Sequence, residues 1–444
     1  MMLSLLAKGS VCAGALPAIA FAACSSLAIA QTTPFGAEAG ANADGSIPAY
    51  NGGLSATTSN GSQFSNPFAG DQMILKIDQS NVDQHAARLS AGQIAMIKRH
   101  SSYFIPVYQT RRTFRIPDSA LQTAVSEAGG ISLVNNGNGL SGLVKSTIPF
   151  PNPKSGVELI WNHLFRYQTP AWERNYAQAP VQSNGAYTLQ RLTDVIAYRS
   201  GLPAGGDNEN ILAKFLQVIK APARLEGNVL LVHDTLDQVK EPRSAWVYNA
   251  GQRRVRRAPN IAYDGPGTAA EGMRTTDDFG MFNGAPDKYD WNLVGKREMY
   301  LPANSYSLVD PSKSYTDVIG DKHLNQALTR YELRRAWVVE GTLKSGERHI
   351  YGKRVFYFDE DGYQIKLGDQ FDNRGELWRV KEGHNAIEST GMFEMIVGEP
   401  IYDLQSGRYI VLSLLNEERP QFRLNTRASD GDFTPSALRR KGRK

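Results

Sequence analysis

The sequence predicts a protein of the α+β class that is mainly β, built on a large curved antiparallel sheet with a few covering helices. Residues 330–381 form four alternating runs separated by short turn-forming segments such as Asp361-Gly362. The chain also contains 19 Tyr and 6 Trp, residue types that favour strands. Because few segments of the chain have helical periodicity, the sheet dominates the predicted architecture.

The composition is that of a globular protein with a sizeable core. The chain has 444 residues, of which 41% are hydrophobic and 21% charged. We predict five regions: a signal peptide (1–30), an extended N-terminal arm (31–70), a helical and mixed accessory region packing on the sheet (71–210), an antiparallel half-barrel (211–420) and a charged, solvated C-terminal tail (421–444).

The first 30 residues have the pattern of a secretory signal peptide. Lys8 precedes an apolar run rich in small residues, and Ala28-Ile29-Ala30 fits a cleavage site. No later apolar run reaches about 18 residues, so we expect no transmembrane helix in the mature chain. Lipoprotein processing at Cys24 is a less favoured alternative, because Phe21 suits a lipobox poorly.

Both cysteines, Cys12 and Cys24, lie in this signal region. The mature chain would therefore contain no thiol, which excludes disulfides, catalytic cysteine and zinc–thiolate sites. Removal of the signal peptide takes away one base and no acid, so the formal net charge falls from +5 to +4. This mild charge does not call for a nucleic-acid partner.

Helical periodicity is clearest at residues 81–99, 119–128 and 156–167. Residues 211–218 are ambiguous, and we interpret them as helical. The Gly-rich segment 260–287 is too long for a hairpin and is interpreted as a functional loop or a lid.

Signatures of known enzyme chemistry are absent from the sequence. No phosphate-binding Gly-x-x-x-x-Gly-Lys-[Ser/Thr] motif and no His-Glu-x-x-His motif occurs, and the seven histidines have no metal-ligand spacing. We therefore predict no catalytic residue, no metal and no cofactor, and a protein that is not an enzyme. An unrecognised hydrolase of an envelope polymer or lipid, using His163 or Asp369, stays as an alternative.

A surplus of aromatic side chains points to a hydrophobic ligand. A long meander with few helices to cover it would leave an apolar cavity, where each buried methylene of a ligand gains about 0.8 kcal/mol. The alternative is that these aromatics form ordinary sheet core. The predicted ligand-binding residues are Trp161, Trp246, Tyr248, Trp337, Tyr351, Tyr357, Tyr363 and Trp378.

The densest basic run before the tail contains Arg253, Arg254, Arg256 and Arg257. Arginine pairs bidentately with carboxylates and phosphates, so we predict contact with an anionic group or an acidic partner. The alternative is an edge strand protected by charge. Next to the predicted aromatic Trp161, Asn162 and His163 could lie at a ligand mouth or bridge backbone groups, and we favour the second interpretation.

Several segments together resemble the DUF1329 family of Gram-negative bacteria. These segments are residues 148–151 (Ile-Pro-Phe-Pro), 161–163 (Trp-Asn-His), 245–259 and 369–378. The resemblance covers most of residues 40–420 and implies similarity to the outer-membrane lipoprotein-sorting proteins of the LolA/LolB type, with an incomplete antiparallel barrel closed by helices around an apolar cavity. It also implies a periplasmic location and partnership with an RND-type exporter, and it supplies no catalytic residues.

The leading functional hypothesis is a periplasmic, non-enzymatic binding or carrier protein for a hydrophobic ligand such as a lipid or a lipoprotein acyl chain, working at the outer membrane or with an exporter. The second hypothesis is an envelope scaffold that docks a protein partner through its sheet and basic strand.

Overall fold

The computed structural model describes residues 32–55, 63–142, 147–202, 210–258, 263–424 and 429–442. The predicted signal peptide, with Cys12 and Cys24, lies outside these residues. No helix in the described ranges is long and apolar enough to cross a membrane. The predicted fold class is confirmed: the protein is mainly β, with one large open antiparallel sheet and a few short helices.

The helices are α1 (Val82–His85), α2 (Ala91–Arg99), α3 (Asp118–Glu127), α4 (Gly156–Phe165), α5 (Tyr315–Val318) and α6 (Pro435–Lys441). Two begin at side-chain caps that the sequence provides. Ser90 accepts a hydrogen bond from the Gln93 amide in a capping box, and Ser155 accepts one from the Glu158 amide. The predicted helices at 119–128 and 156–167 correspond to α3 and α4, and the one at 81–99 is divided into α1 and α2.

The strands divide into two antiparallel meanders. The first is β5 (Ala171–Val181), β6 (Gln190–Tyr198), β7 (Ile211–Ala221), β8 (Val229–Thr235), β9 (Ser244–Asn249) and β10 (Arg254–Arg257). The second is β11 (Tyr289–Pro302), β12 (Tyr331–Leu343), β13 (Lys353–Asp359), β14 (Ile365–Phe371), β15 (Leu377–Glu382), β16 (His384–Glu388), β17 (Phe393–Asp403) and β18 (Tyr409–Leu414). The short strands are β1 (Leu75–Ile77), β2 (Ile105–Tyr108), β3 (Ser132–Val134), β4 (Gly139–Ser141) and β19 (Phe422–Leu424).

Pairing of β18 with β5 joins the two meanders into one sheet, with Ile410 opposite Pro180. Within the described part of the chain, β10 pairs with β9 and β11 with β12, so these two consecutive strands form opposite edges of the sheet. The connection between them must therefore cross a face of the sheet. We call its described part, residues 263–287, the crossing loop.

One predicted element differs from the structure. Residues 211–218, interpreted as helical, belong to β7, because backbone hydrogen bonds to β6 and β8 on both sides outweigh an ambiguous local pattern. The accessory region was predicted to end at residue 210. Within that region, β5 and β6 are paired strands of the large sheet.

Described parts of the N-terminal arm and of the C-terminal tail are packed against the rest of the protein. In the N-terminal arm, the side chains of Phe35 and Ile47 are buried in the core. In the predicted solvated tail, β19 pairs with β5, and Leu438 of α6 is buried against β8 and β9 together with Tyr248. The reason is amphipathicity: α6 places its apolar residues against the sheet while its last turn stays charged.

Candidate ligand-binding cavity

A cavity of about 180 Å³ lies between the first meander, the end of α4, strands β17 to β19 and the crossing loop. Apolar and aromatic side chains form most of its wall. They include Trp172, Ile196, Phe215, Val232, Phe279 and Met395. The wall also carries charged side chains, namely four arginines and three acids. A mainly apolar cavity with placed polar groups is typical of small-molecule sites.

The alternation of side chains along β8 assigns one face of the first meander to the cavity. Leu230, Val232 and Asp234 line it, whereas Leu231 packs on the opposite face in the cluster that contains Leu438. This opposite face is covered by α6. Strands β6, β7 and β8 therefore separate a cavity surface from a packed apolar layer.

Two of the arginines on the cavity wall are held in ion pairs. The Arg174 guanidinium lies 3.0 Å from an Asp194 carboxylate oxygen, and Gln217 donates a 2.9 Å hydrogen bond to the same carboxylate. Burial raises the pKa of Asp194, and the charge of Arg174 opposes that effect. Arg243 is paired with Asp234. These pairs fix polar side chains within an apolar wall.

The crossing loop is fastened to the second meander by buried ionic groups. Asp277 accepts a 2.8 Å hydrogen bond from Arg354 and lies 3.2 Å from His349 Nε2. Asp278 accepts hydrogen bonds from Tyr351 at 3.0 Å and from the Thr275 hydroxyl at 2.7 Å. The loop thereby covers much of the face that the sequence analysis assigned to a ligand.

A histidine of α4 holds the crossing loop from its other side. His163 Nδ1 accepts a hydrogen bond from the Ile365 amide at 3.1 Å, so Nε2 carries the proton and donates to the Phe282 carbonyl at 3.1 Å. Burial lowers the pKa of His163, which keeps the ring neutral. Asn162 bridges the backbone of Phe150 through both its amide atoms. The interpretation that Asn162 and His163 bridge backbone groups is confirmed.

None of the eight predicted ligand-binding aromatics is among the residues that line the cavity. Trp246 and Tyr248 lie on the opposite face of the sheet, beneath α6. Trp161 donates to the Gly137 carbonyl at 2.9 Å, and Trp378 donates to Asp403 at 2.9 Å. These four are engaged in packing and in hydrogen bonds within the protein.

The other four predicted aromatics belong to the second meander. Tyr351 bonds Asp278 under the crossing loop, and Tyr363 donates to the Phe35 carbonyl at 2.8 Å. Tyr357 lies on the other face and donates to Asp369 at 3.1 Å, while Trp337 lies beneath the Lys296 ammonium group. Ligand contact of the eight aromatics stays a prediction. The cavity is lined by other residues.

The four predicted anion-binding arginines lie far along the sheet, at its edge. Arg253 occupies the turn before β10, and Arg254, Arg256 and Arg257 lie on β10; all four side chains are exposed. None of them lines the cavity. Arg257 donates a 3.3 Å hydrogen bond to Ser244. Their position is that of charged residues on an edge strand.

The two residues named for a hydrolase are buried outside the cavity. His163 bridges the Ile365 amide and the Phe282 carbonyl, as described above. The Asp369 carboxylate accepts hydrogen bonds from Ser90 at 3.0 Å and from Tyr357 at 3.1 Å. It thus ties the start of α2 to the sheet.

Sequence reasoning did not identify the cavity residues, because it selected aromatic side chains and not polar residues at inward positions of strands. The available signal was polar residues at inward positions of strands, namely Arg174, Asp194 and Gln217, which are buried on β5, β6 and β7. A charged side chain at an interior position requires a partner or a ligand.

Comparison with known proteins identifies the family. The sequence model of DUF1329, described as a protein of unknown function, matches residues 76–439. The uncharacterized protein PA3922 of Pseudomonas aeruginosa is 50% identical over 418 residues, which are 92% of this chain and 91% of the relative.

Solved structures were also compared. A DUF1329 family protein from Desulfovibrio piger is 16% identical, with a TM-score of 0.45, covering 64% of this chain and 97% of that chain. The LolA superfamily protein NE2245 from Nitrosomonas europaea is 13% identical, with a TM-score of 0.39, covering 64% and 98%. The family match and the P. aeruginosa relative decide the assignment: this chain belongs to the DUF1329 family.

Proposed function

We propose that this protein works in the periplasm as a non-enzymatic binding or carrier protein for a hydrophobic ligand, such as a lipid or a lipoprotein acyl chain. The observation that carries the proposal is the cavity itself, with an apolar wall formed by the first meander and the crossing loop. Each ligand methylene buried there would gain about 0.8 kcal/mol before the costs of ordering.

The position of the cavity supports reversible binding. Its wall includes the Pro266 and Phe279 regions of the crossing loop, so a shift of this loop would change access without altering the strands. Most of the remaining wall consists of strands of one hydrogen-bonded sheet, which provide a preformed surface. A carrier requires a preformed wall and a cover that can move.

Native mass spectrometry of the protein extracted from the periplasm tests the proposal. We expect co-purifying lipid that a fluorescent fatty probe can displace. A clean protein mass, together with no binding of the probe, would contradict a carrier function. The extraction also tests the location, since the proposal requires a periplasmic protein cleaved near Ala30.

A second candidate is docking of an acidic protein partner, of which an RND-type exporter is one example. It is favoured by the exposed arginines at the β10 edge. Charge reversal by Arg254→Glu with Arg256→Glu should abolish capture of such a partner in pull-downs, while lipid binding is retained. Unchanged capture would remove this candidate.

A further inference from the structure

Two arginines on the cavity wall differ from the two that are held in ion pairs. Arg166 follows α4, and Arg274 belongs to the crossing loop. Among the described residues, neither has a carboxylate oxygen within 4.0 Å. Arg274 is nevertheless 4% exposed. A buried guanidinium without an anionic partner is unfavourable, because arginine remains charged in proteins.

The hydrogen bonds of both side chains are incomplete. Arg166 Nη1 donates to the His163 carbonyl at 2.7 Å, and Arg274 Nη1 donates to the Thr275 carbonyl at 3.2 Å. In the described part of the chain, the buried Nε of each has no hydrogen-bond partner. An arginine has five N–H donors, so both retain donors for a ligand.

The acids on the cavity wall are already bound elsewhere. Glu399 accepts the amides of Gly280 at 3.2 Å and Met281 at 2.8 Å, and Glu394 is paired with Lys366 at 2.5 Å. Asp234 is paired with Arg243. The charge of Arg166 and Arg274 therefore lacks a direct counterion on the wall.

Burial lowers the pKa of both guanidinium groups, and the charge of Glu399, which is not in direct contact with either, opposes this effect only in part. The ring of Phe279 lies 5.3 Å from the Arg274 guanidinium carbon and 5.4 Å from that of Arg174. Apolar and cationic surfaces thus meet within one cavity.

We propose that the ligand is an anionic amphiphile, whose carboxylate or phosphate headgroup binds Arg166 and Arg274 while its apolar chain packs on side chains such as Ile196 and Phe215. This inference rests on the proposed function and specifies its ligand class. A planar guanidinium can donate two parallel hydrogen bonds to either oxyanion. The two arginines would then fix the headgroup end of the ligand, whereas the apolar wall by itself would bind the chain in either orientation.

Binding of three ligands with the same chain tests the inference: dodecanoate, dodecyl phosphate and uncharged dodecanol, each measured below its micelle concentration by displacement of a neutral fluorescent probe from the mature protein. We expect at least one of the two anions to bind about tenfold or more tightly than dodecanol. The anion that binds more tightly identifies the headgroup as carboxylate or phosphate.

The variants Arg166→Met and Arg274→Met should remove this preference, which is measured as the ratio of anion affinity to dodecanol affinity within each variant. Arg254→Met, at the exposed edge, is the matched control and should bind all three ligands as the wild type does. Misfolding is excluded by thermal unfolding without ligand: loss of an unpaired buried charge should leave the melting temperature of Arg274→Met unchanged or higher.

Three outcomes are distinguishable failures. Equal binding of dodecanol and both anions by the wild type would overturn the anionic headgroup and leave the hydrophobic carrier intact. No binding of any of the three ligands, nor of the probe, would overturn the proposed function itself. An anion preference that both arginine variants retain would place the headgroup elsewhere and overturn this assignment.

Discussion

The ammonium group of Lys381 on β15 donates to the backbone carbonyl of Asp278 in the crossing loop at 2.6 Å and lies 3.2 Å from the carboxylate of the same residue. Both side chains are fully buried. Although burial by itself would raise the pKa of Asp278, the charges of Lys381 and Arg354 hold it below its usual range. One lysine thus fastens the loop that covers the sheet.

Lys381→Met should release the crossing loop. The variant leaves Asp278 without its closest cation and removes a 2.7 Å hydrogen bond to the Met281 carbonyl. We expect a loss of about 3–5 kcal/mol in the free energy of unfolding. Denaturant unfolding measures this loss, and hydrogen exchange should show faster exchange in residues 263–287.

The control is Lys353→Met. Lys353 lies 3.8 Å from Glu340 at the surface, with both side chains more than a third exposed. A surface pair of this kind contributes about 0–1 kcal/mol. Similar losses of stability in both variants would show that Lys381 has no special role in holding the crossing loop.

Ile196→Trp should reduce binding of a hydrophobic ligand by filling the cavity from β6. Its neighbour Val195 points to the opposite face, where it packs with the α6 cluster. Val195→Trp is therefore the matched control and should leave ligand affinity within about twofold of the wild type. Fluorescent-probe titration measures both. Equal loss in the two variants would indicate a general folding defect instead of a blocked cavity.

Asp369 makes stability depend on pH in a defined direction. Burial raises its pKa to about 6, opposed by hydrogen bonds from the Gly92 amide, Ser90 and Tyr357. The pKa in the unfolded chain is about 3.9. The folded state therefore binds this proton more tightly. The resulting stabilisation is complete below about pH 3.9 and is lost as the pH rises through about 6.

Asp369→Asn removes this titration. The free energy of unfolding of the variant, relative to wild type, should increase between about pH 4 and pH 6.5 by up to about 3 kcal/mol, and stay constant at higher pH. Urea unfolding across this range measures the difference. A flat difference, or one that falls with pH, would show that the Asp369 pKa is not raised.

Leu438→Ala should destabilise the first meander, because this α6 residue is fully buried in the cluster between α6 and the sheet. The expected loss is about 2–5 kcal/mol in the free energy of unfolding. Arg439→Ala, on the exposed side of the same helix, should change stability by less than about 0.5 kcal/mol. If Leu438→Ala were equally neutral, α6 would not stabilise the sheet.

Local sequence patterns are sufficient to predict an element where one face of a strand, or one side of a helix, has a distinctive set of residues. The meander at 330–381 and the helix at 156–167 were predicted because their turns, alternation and periodicity are encoded in neighbouring residues. At Ile211–Ala221, by contrast, the local pattern is ambiguous, and hydrogen bonds to β6 and β8 decide the strand.

The sequence by itself determined the fold class, the family resemblance and a surplus of aromatic residues that requires extensive burial. Only the tertiary structure decided which face is filled. The crossing loop, anchored by Asp278, covers the second meander, while α6 covers the outer face of the first. The cavity lies where these covers leave space. Local sequence patterns do not reveal this place, because the position of the loop depends on contacts between residues about a hundred positions apart, such as Asp278 and Lys381.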